Sequence, residues 1–420
     1  MLDAERNRTI TEVGPGTPMG ELLRRYWHPI GAVSEMQERA TKPMRLLGED
    51  LVLYKDLSGN YGLIDRHCPH RRADMSYGFP EACGLRCSYH GWVMDHEGKC
   101  REQPFEEVLN PGGMGRERIR VAAYPVQALA GLLWAYMGPQ PAPLVPNYEP
   151  FTWRNGFSQI VFSELDCNWF QCQENSIDPV HFEWMHDNWS IRLKGQQGPY
   201  APKHLRLDFE EFDWGISYRR IREGNDETSE LWTVGRVCLW PYALFTGSHF
   251  EWRVPIDDRR TLSVCWFFAR VPTEREPFVQ QSIPYWYSPV LDEKTGRAIT
   301  THVMNQDFVG WIGQGVISDR SKEHLGASDR GIVMMRRRFF ADLEAIKEGR
   351  DPKAIVRDPE VNRCITLPVV DKQQFTEGQP LAAVQAKAAK MRAPLGGEFR
   401  WLYGQPDSVA RAYAEAMGLS

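Results

Sequence analysis

Apolar and polar positions follow two different periods along this chain, and the changeovers divide it into blocks. From Met44 to about Met137 the apolar runs are short and β-type, as in MRLLGEDLVLYKD, YGLIDRHC and RIRVAAYPVQALAGLLWAYMG, with Gly, Asn and Pro between them. They predict a small antiparallel β domain of roughly a hundred residues. Before it, TPMGELLRRYWH (17–28) predicts a short helix behind the turn-forming GPG. The Pro-rich stretch GPQPAPLVPNYEP (138–150) reads as a linker. Helical periodicity follows around 167–188, then a β region from about 203 to 271, where HLRLDFEEFDW, GISYRRIRE and RRTLSVCWFFARV alternate clearly. Helical signals return from Thr301 to Lys347, and VARAYAEAM predicts a last helix. The expected class is α+β. Residues 1–148 form an N-terminal helix plus a small antiparallel β domain, and residues 149–420 a larger domain with an antiparallel sheet flanked by helices.

The 420 residues suffice for one large or two medium domains. Fifty Lys and Arg stand against 55 Asp and Glu, a net charge of -5, which argues against a nucleic-acid partner. The run Arg336-Arg337-Arg338 reads as a solvated helix end or a subunit contact. No apolar run approaches the ~20 residues of a membrane span. The segment MLDAERNRTI lacks the apolar core of a signal peptide, so a cytoplasmic protein without a membrane partner is expected. Nine cysteines, an odd number in a long chain, read as thiols or metal ligands rather than as a disulfide frame. Fifteen Trp and 19 Phe call for a large core or an aromatic-lined pocket.

Two constellations carry chemistry. RHCPHRR (66–72) and RCSYHGW (86–92) supply Cys68-x-His70 and Cys87-x-x-His90. Two Cys and two His suit tetrahedral zinc, and equally a two-iron, two-sulfur cluster with Cys on one iron and His on the other. The second constellation is ENSIDPVHFEWMH (174–186), with His181 and His186 five positions apart. On a straight α-helix that spacing turns the rings about 140° away from each other. They converge only if the helix kinks or carries a π-bulge between them. Pro179 suits a first helical position, with Asp178 as the cap. With one carboxylate, two such histidines would complete the facial triad of non-haem Fe(II) oxygenases.

The paired loops resemble the Rieske signature. Arg71 follows His70 and CSYH holds no extra Cys, so the likeness is to the oxygenase type of Rieske domain; Cys83 and Cys100 read as structural thiols. The pattern E-N-x-x-D-x-x-H-x-x-x-x-H downstream of such a pair resembles the catalytic subunit of Rieske non-haem iron oxygenases. VGPGTPMGELLRRYW, and Gln314-Gly315 through DRSKEHLGASDR, point to the phthalate dioxygenase-like branch.

That resemblance implies a [2Fe-2S] cluster on Cys68, His70, Cys87 and His90, and a mononuclear Fe(II) on His181, His186 and Asp307, the last in MNQDFVGWIGQG. It implies that Asp178 orients His181 and contacts His90 of the partner subunit, in a homotrimer or stacked trimers, and that Asn175 approaches the iron. It further implies dioxygen and a small aromatic substrate, with an aromatic carboxylate or aryl ether favoured, and ring hydroxylation or O-dealkylation as the reaction. PGGMG (111–115) fits no nucleotide fingerprint. A separate flavin and iron–sulfur reductase fed by NADH is therefore expected. The alternatives are a Rieske electron carrier without oxygenase chemistry, and a zinc-stabilised binding protein.

Candidates for the pocket are weaker. Arg219, Arg220, Arg222, Arg236 and Arg253 lie on predicted strands, where alternation lets one or two at most face a substrate carboxylate. His249 sits among aromatics in TGSHFEW and is a pocket candidate, while Trp169, Phe182 and Trp311 read as core before pocket.

Overall fold

The computed structural model describes residues 2–113, 115–392 and 399–419, with the side chains of 389–392 left aside. The chain forms two compact units, one of Val13–Val145 and the other of the residues up to Glu12 together with those from Pro146 on.

In the first unit Thr17 caps the short helix Pro18–Leu23, its hydroxyl accepting from the Gly20 N–H at 3.1 Å. The helix stops short of the expected Tyr26 and His28 because Trp27–Ala32 is a strand, paired antiparallel with Leu132–Tyr136. Among the described residues, three antiparallel sheets build the unit. Trp27–Ala32, Leu132–Tyr136 and Val126–Leu129 make one. Thr41–Leu46, Glu49–Lys55, Tyr61–Asp65 and Ala123–Tyr124 make the second. Phe79–Glu81, Gly84–Arg86, Val93–Met94 and Cys100–Glu102 make the third. The second and third share a core of Val52, Tyr54, Ile64, Met75, Leu85, Trp92 and Met94, which also encloses Cys68 and Cys87.

The second unit is an eight-stranded sheet in the order His204–Phe212, Gly215–Arg222, Arg236–Leu239, Ala243–Phe245, His249–Pro255, Thr261–Arg270, Gly156–Leu165, Tyr285–Tyr287. Every pairing is antiparallel except the last, where Tyr285–Tyr287 runs parallel to Gly156–Leu165. Helices Val303–Gly313, Arg330–Lys347 and Asp407–Met417 belong to this unit. Met335, Phe339 and Leu343, spaced four apart, are buried on one face of Arg330–Lys347. Each such side chain contributes roughly 1.5–3 kcal/mol by burial.

The division differs from the expected 148/149 boundary at the start of the chain. A helix at Ala4–Thr11, capped by Asp3, joins the second unit, with Asn7 Nδ2 donating to Ser318 O (3.0 Å) and Asn168 Nδ2 donating to Thr11 O (2.9 Å). Arg336 also departs from expectation. It is buried rather than solvated, because Glu174 and Glu323 bind its guanidinium. Among the described residues no helix is long and apolar enough to cross a membrane.

Candidate metal centres and active site

The two cluster loops are conformational copies. Cys68 N–H donates to Ala73 O and Cys68 O accepts from Arg72 N–H, at 2.8 and 2.9 Å. Cys87 N–H donates to Trp92 O and Cys87 O accepts from Gly91 N–H, at 2.8 and 3.0 Å. In both, the residue four after the cysteine is left-handed, Arg72 at φ 61° and Gly91 at φ 76°. The His70 and His90 rings lie 4.5 Å apart, and His70 stacks on Trp92 at 4.7 Å. The cysteines are buried while His90 is exposed. Arg86 pins the second loop by donating to Gly91 O (2.8 Å) while paired with Glu81 and Glu102. Burial, with the neighbouring Cys87, pushes the Cys68 thiol up to about 12, so ligand thiolates here need a cation beside them. Cysteines together inside and histidines together at the rim fit a cluster whose two irons take different ligand types.

The mononuclear site lies in the second unit. The helix Trp169–Asn175 ends in a turn, and Asp178 Oδ1 accepts from the Val180 N–H at 2.8 Å, starting the next helical segment. The distortion required between His181 and His186 is a π-helix over Phe182–Asn188, in which Trp189 N–H reaches back five residues to Trp184 O. Residues five apart now share a face, and the two rings stand 5.2 Å apart at 76°. The helix Val303–Gly313 brings Asp307 to them. Its Oδ1 lies 3.5 Å from His181 Nε2 and 3.3 Å from His186 Nε2. Among the described residues this is the one group of three or more His, Cys, Asp or Glu side chains with ligand atoms all within 4.8 Å. Two imidazoles and a carboxylate leave coordination positions open and fit iron(II).

The surrounding residues fix this set. Gln306 Nε2 donates to Thr300 O at 3.0 Å, which turns its Oε1 toward His186 Nδ1 at 3.1 Å. Nδ1 then carries the hydrogen and Nε2 keeps its lone pair for a metal. His181 Nδ1 lies 3.5 Å from Asp178 Oδ2, an electrostatic contact too long for a good hydrogen bond. Burial pushes the Asp178 carboxyl up, but His181 and the Val180 and His181 amides more than reverse this and hold it ionised. Asn175 Nδ2 donates to Asp307 Oδ1 at 3.3 Å, so Asn175 meets the carboxylate.

Sequence reasoning missed the support beneath this site. Glu174 is bound by Arg320 (2.6 Å) and Arg336 (2.5 Å), all three buried. They tie the Asn175 helix to the Arg330–Lys347 helix. The signal was an acid inside the otherwise uncharged run WFQCQEN. Gln306 was equally visible beside Asp307.

The pocket candidates separate by register. Arg219 pairs with Glu210, Arg222 with Asp187 and Arg253 with Glu251. Arg236 lies opposite Tyr218, which puts it on the face of Arg220 and away from Arg219. Arg220 and Arg236 stand 4.5 and 4.9 Å over the ring of Phe182, which itself lies 5.1 Å from the His186 ring. Phe182 is thus at the site, whereas Trp169 and Trp311 are core. His249 is buried, bonded to Glu251 (2.7 Å) and stacked on Phe267.

Comparison with known proteins identifies the family. Residues 26–125 match the Rieske [2Fe-2S] domain and residues 280–375 a LigXa C-terminal domain-like family. The chain is 61% identical over 420 residues, all of its own length and 98% of the relative's, to a 5,5'-dehydrodivanillate O-demethylase oxygenase subunit of Sphingobium sp. strain SYK-6. It is 31% identical to a phthalate 4,5-dioxygenase oxygenase subunit of Pseudomonas putida, covering 83% of this chain and 88% of that one. Among solved structures, NdmB of Pseudomonas putida CBB5 shares the fold at TM-score 0.58 and 19% identity, over 79% of this chain and 94% of that one. The chain belongs to the Rieske non-haem iron oxygenases, as an oxygenase subunit for aromatic compounds that uses a [2Fe-2S] cluster and a mononuclear iron.

Proposed function

We propose that this oxygenase subunit O-demethylates aromatic carboxylates bearing aryl methyl ethers, of the 5,5'-dehydrodivanillate type. The observation that carries this is end-to-end identity of 61% with a subunit named for that reaction. In balanced form, one aryl methyl ether, dioxygen, two electrons and two protons give the phenol, formaldehyde and water.

Cys68, His70, Cys87 and His90 hold the cluster, and His181, His186 and Asp307 hold the iron. The bound iron supplies open coordination positions for dioxygen chemistry beside the substrate, with electrons relayed from the cluster. The protein's own part is positioning. Gln306 sets the His186 tautomer through the 3.1 Å contact. Asp178 orients His181 and, in a homotrimer or stacked trimers, contacts His90 of the partner subunit. Asn175 fixes the Asp307 carboxylate. A separate flavin and iron–sulfur reductase supplies electrons from NADH, and the complex works in the cytoplasm.

The test is turnover of the full chain with a surrogate NADH-fed reductase on methoxylated, hydroxylated and unsubstituted aromatic acids. Formaldehyde should form in step with the phenol and with oxygen uptake. A cis-dihydrodiol without formaldehyde would overturn the demethylase reading. Asp307→Ala should lower iron to that of the cluster alone and abolish turnover, and unchanged iron content would remove Asp307 from the ligand set.

A further inference from the structure

The second unit contains a cavity of about 510 Å³ whose lining includes Arg236, Phe267, Phe375, Phe399, Arg400 and Trp401. Arg236 is shared between the cavity and the iron site, since its guanidinium lies 4.9 Å over Phe182 and that ring packs on His186. One aromatic side chain therefore separates the cationic wall from a histidine of the iron site.

Arg236 and Arg400 on this wall, and Arg220 behind Phe182, lack a directly paired counterion. Nε of Arg220, Arg236 and Arg400 is buried in each case without a hydrogen-bond partner, and no carboxylate among the described residues lies within 4.0 Å of any of the three guanidiniums. The nearby acid Asp187 is bound to Arg222 at 2.8 Å. The other cations of the lining are engaged, Arg270 by Glu276 (2.8 Å) and Lys387 by Gln374 (2.6 Å). Burial, followed by the charge of Arg236, lowers the proton affinity of both Arg220 and Arg400. Arginine does not shed its proton to relieve such crowding. Collecting buried and half-buried guanidiniums without a paired anion is costly, and an arriving carboxylate removes that cost with charge-assisted, two-pronged hydrogen bonds.

We propose that Arg236 and Arg400 are the carboxylate-binding end of the substrate pocket, with the substrate's aromatic ring against Phe267, Phe399 and Trp401. Arg220 adds positive potential through Phe182 without lining the cavity. The proposal rests on the reading that this unit oxygenates an aromatic acid. It adds the residues that select the acid over its uncharged analogues.

The experiment is calorimetric titration of the holoenzyme with 5,5'-dehydrodivanillate and with its dimethyl ester, in the absence of reductase. Wild type should bind the acid more tightly than the ester. Arg236→Gln and Arg400→Gln should each weaken acid binding about 10- to 100-fold, as loss of a charged hydrogen-bonded partner implies, and change ester binding less than about twofold. Arg219→Gln, on the opposite face of its strand, should change neither. Arg236→Lys, which keeps the charge but loses the planar fork, serves if the Gln variant does not fold, and should give an intermediate loss. Equal acid binding by wild type and both Gln variants overturns the proposal, as does equal loss of acid and ester. Selective loss of acid binding in an enzyme that releases no formaldehyde from any methoxylated acid leaves the subsite standing and removes the demethylase reading.

Discussion

Gln306 Oε1 faces His186 Nδ1 at 3.1 Å, held there by the bond from Gln306 Nε2 to Thr300 O. The contact fixes both the ring's rotation and the nitrogen left free for iron. Gln306→Leu should keep the fold, because the side chain is replaced by one of similar volume. It should weaken mononuclear iron binding about 10- to 100-fold. Iron per chain against a graded chelator reads this directly, while the visible spectrum of the cluster stays as in wild type. Undiminished iron retention would show that helix packing alone aligns His186.

Asp178 touches His181 and no other predicted iron ligand of its own unit. Asp178→Asn keeps the bond to the Val180 N–H, so both metals should remain bound. Its neutral amide loses the attraction for the His181 ring, and single-turnover oxidation of the pre-reduced cluster with substrate and dioxygen should slow at least tenfold, an order of magnitude typical of groups supporting a ligand. A wild-type rate would confine Asp178 to capping the turn.

The matched cluster loops make a paired prediction. Gly91 is left-handed, and a Cβ there would meet Pro104 Cγ at 3.2 Å. Gly91→Ala should cost about 1–2 kcal/mol locally and reduce cluster occupancy, measured by labile sulfide and visible absorbance. Arg72 occupies the same place in the other loop, so Arg72→Gly relieves strain there and should leave the cluster content unchanged.

Glu251 predicts an acid limb of stability. Burial pushes its carboxyl up, but the Arg253 charge and the His249 bond overcome this and bring it down to about 2. A carboxyl lowered on folding stabilises above its unfolded value near 4.5, and that contribution is lost as pH falls toward 2. The loss amounts to about 3 kcal/mol across that window. Urea midpoints measured from pH 6 downward should fall less steeply for Glu251→Gln than for wild type.

The candidate metal ligands were legible because they are rare side chains at spacings that chemistry restricts. His181 and His186 even foretold a distortion, a kink or a π-bulge, since no straight α-helix brings positions five apart together, and the structure has the π-helix. The substrate arginines were not legible. Arg219, Arg220 and Arg222 alternate on one strand, and only the pairing of Tyr218 with Arg236 tells which face meets Phe182. Arg336, expected at a solvated helix end or a subunit contact, is buried instead, and the sequence did not show it because its partner Glu174 is remote in sequence. The Ala4–Thr11 helix was missed because what holds it, at Asn168 and Ser318, lies more than 150 residues further along the chain. The parallel edge strand Tyr285–Tyr287 is too short to announce itself by alternation.

The wide turn over Phe182–Asn188 has a consequence for how this site can change. A π-turn is an α-helix with one surplus residue, and the chain on either side keeps its seat against its neighbours. Removing one residue from the turn, for instance the exposed Trp184, would reset the histidines to the four-residue interval of an ordinary helix and leave Asp187 on the side of the axis it already holds. The reach of Asp187 to Arg222, and the ionic surroundings of the arginine wall, would be kept. Iron geometry can therefore change by a single indel while substrate charge recognition stays in place.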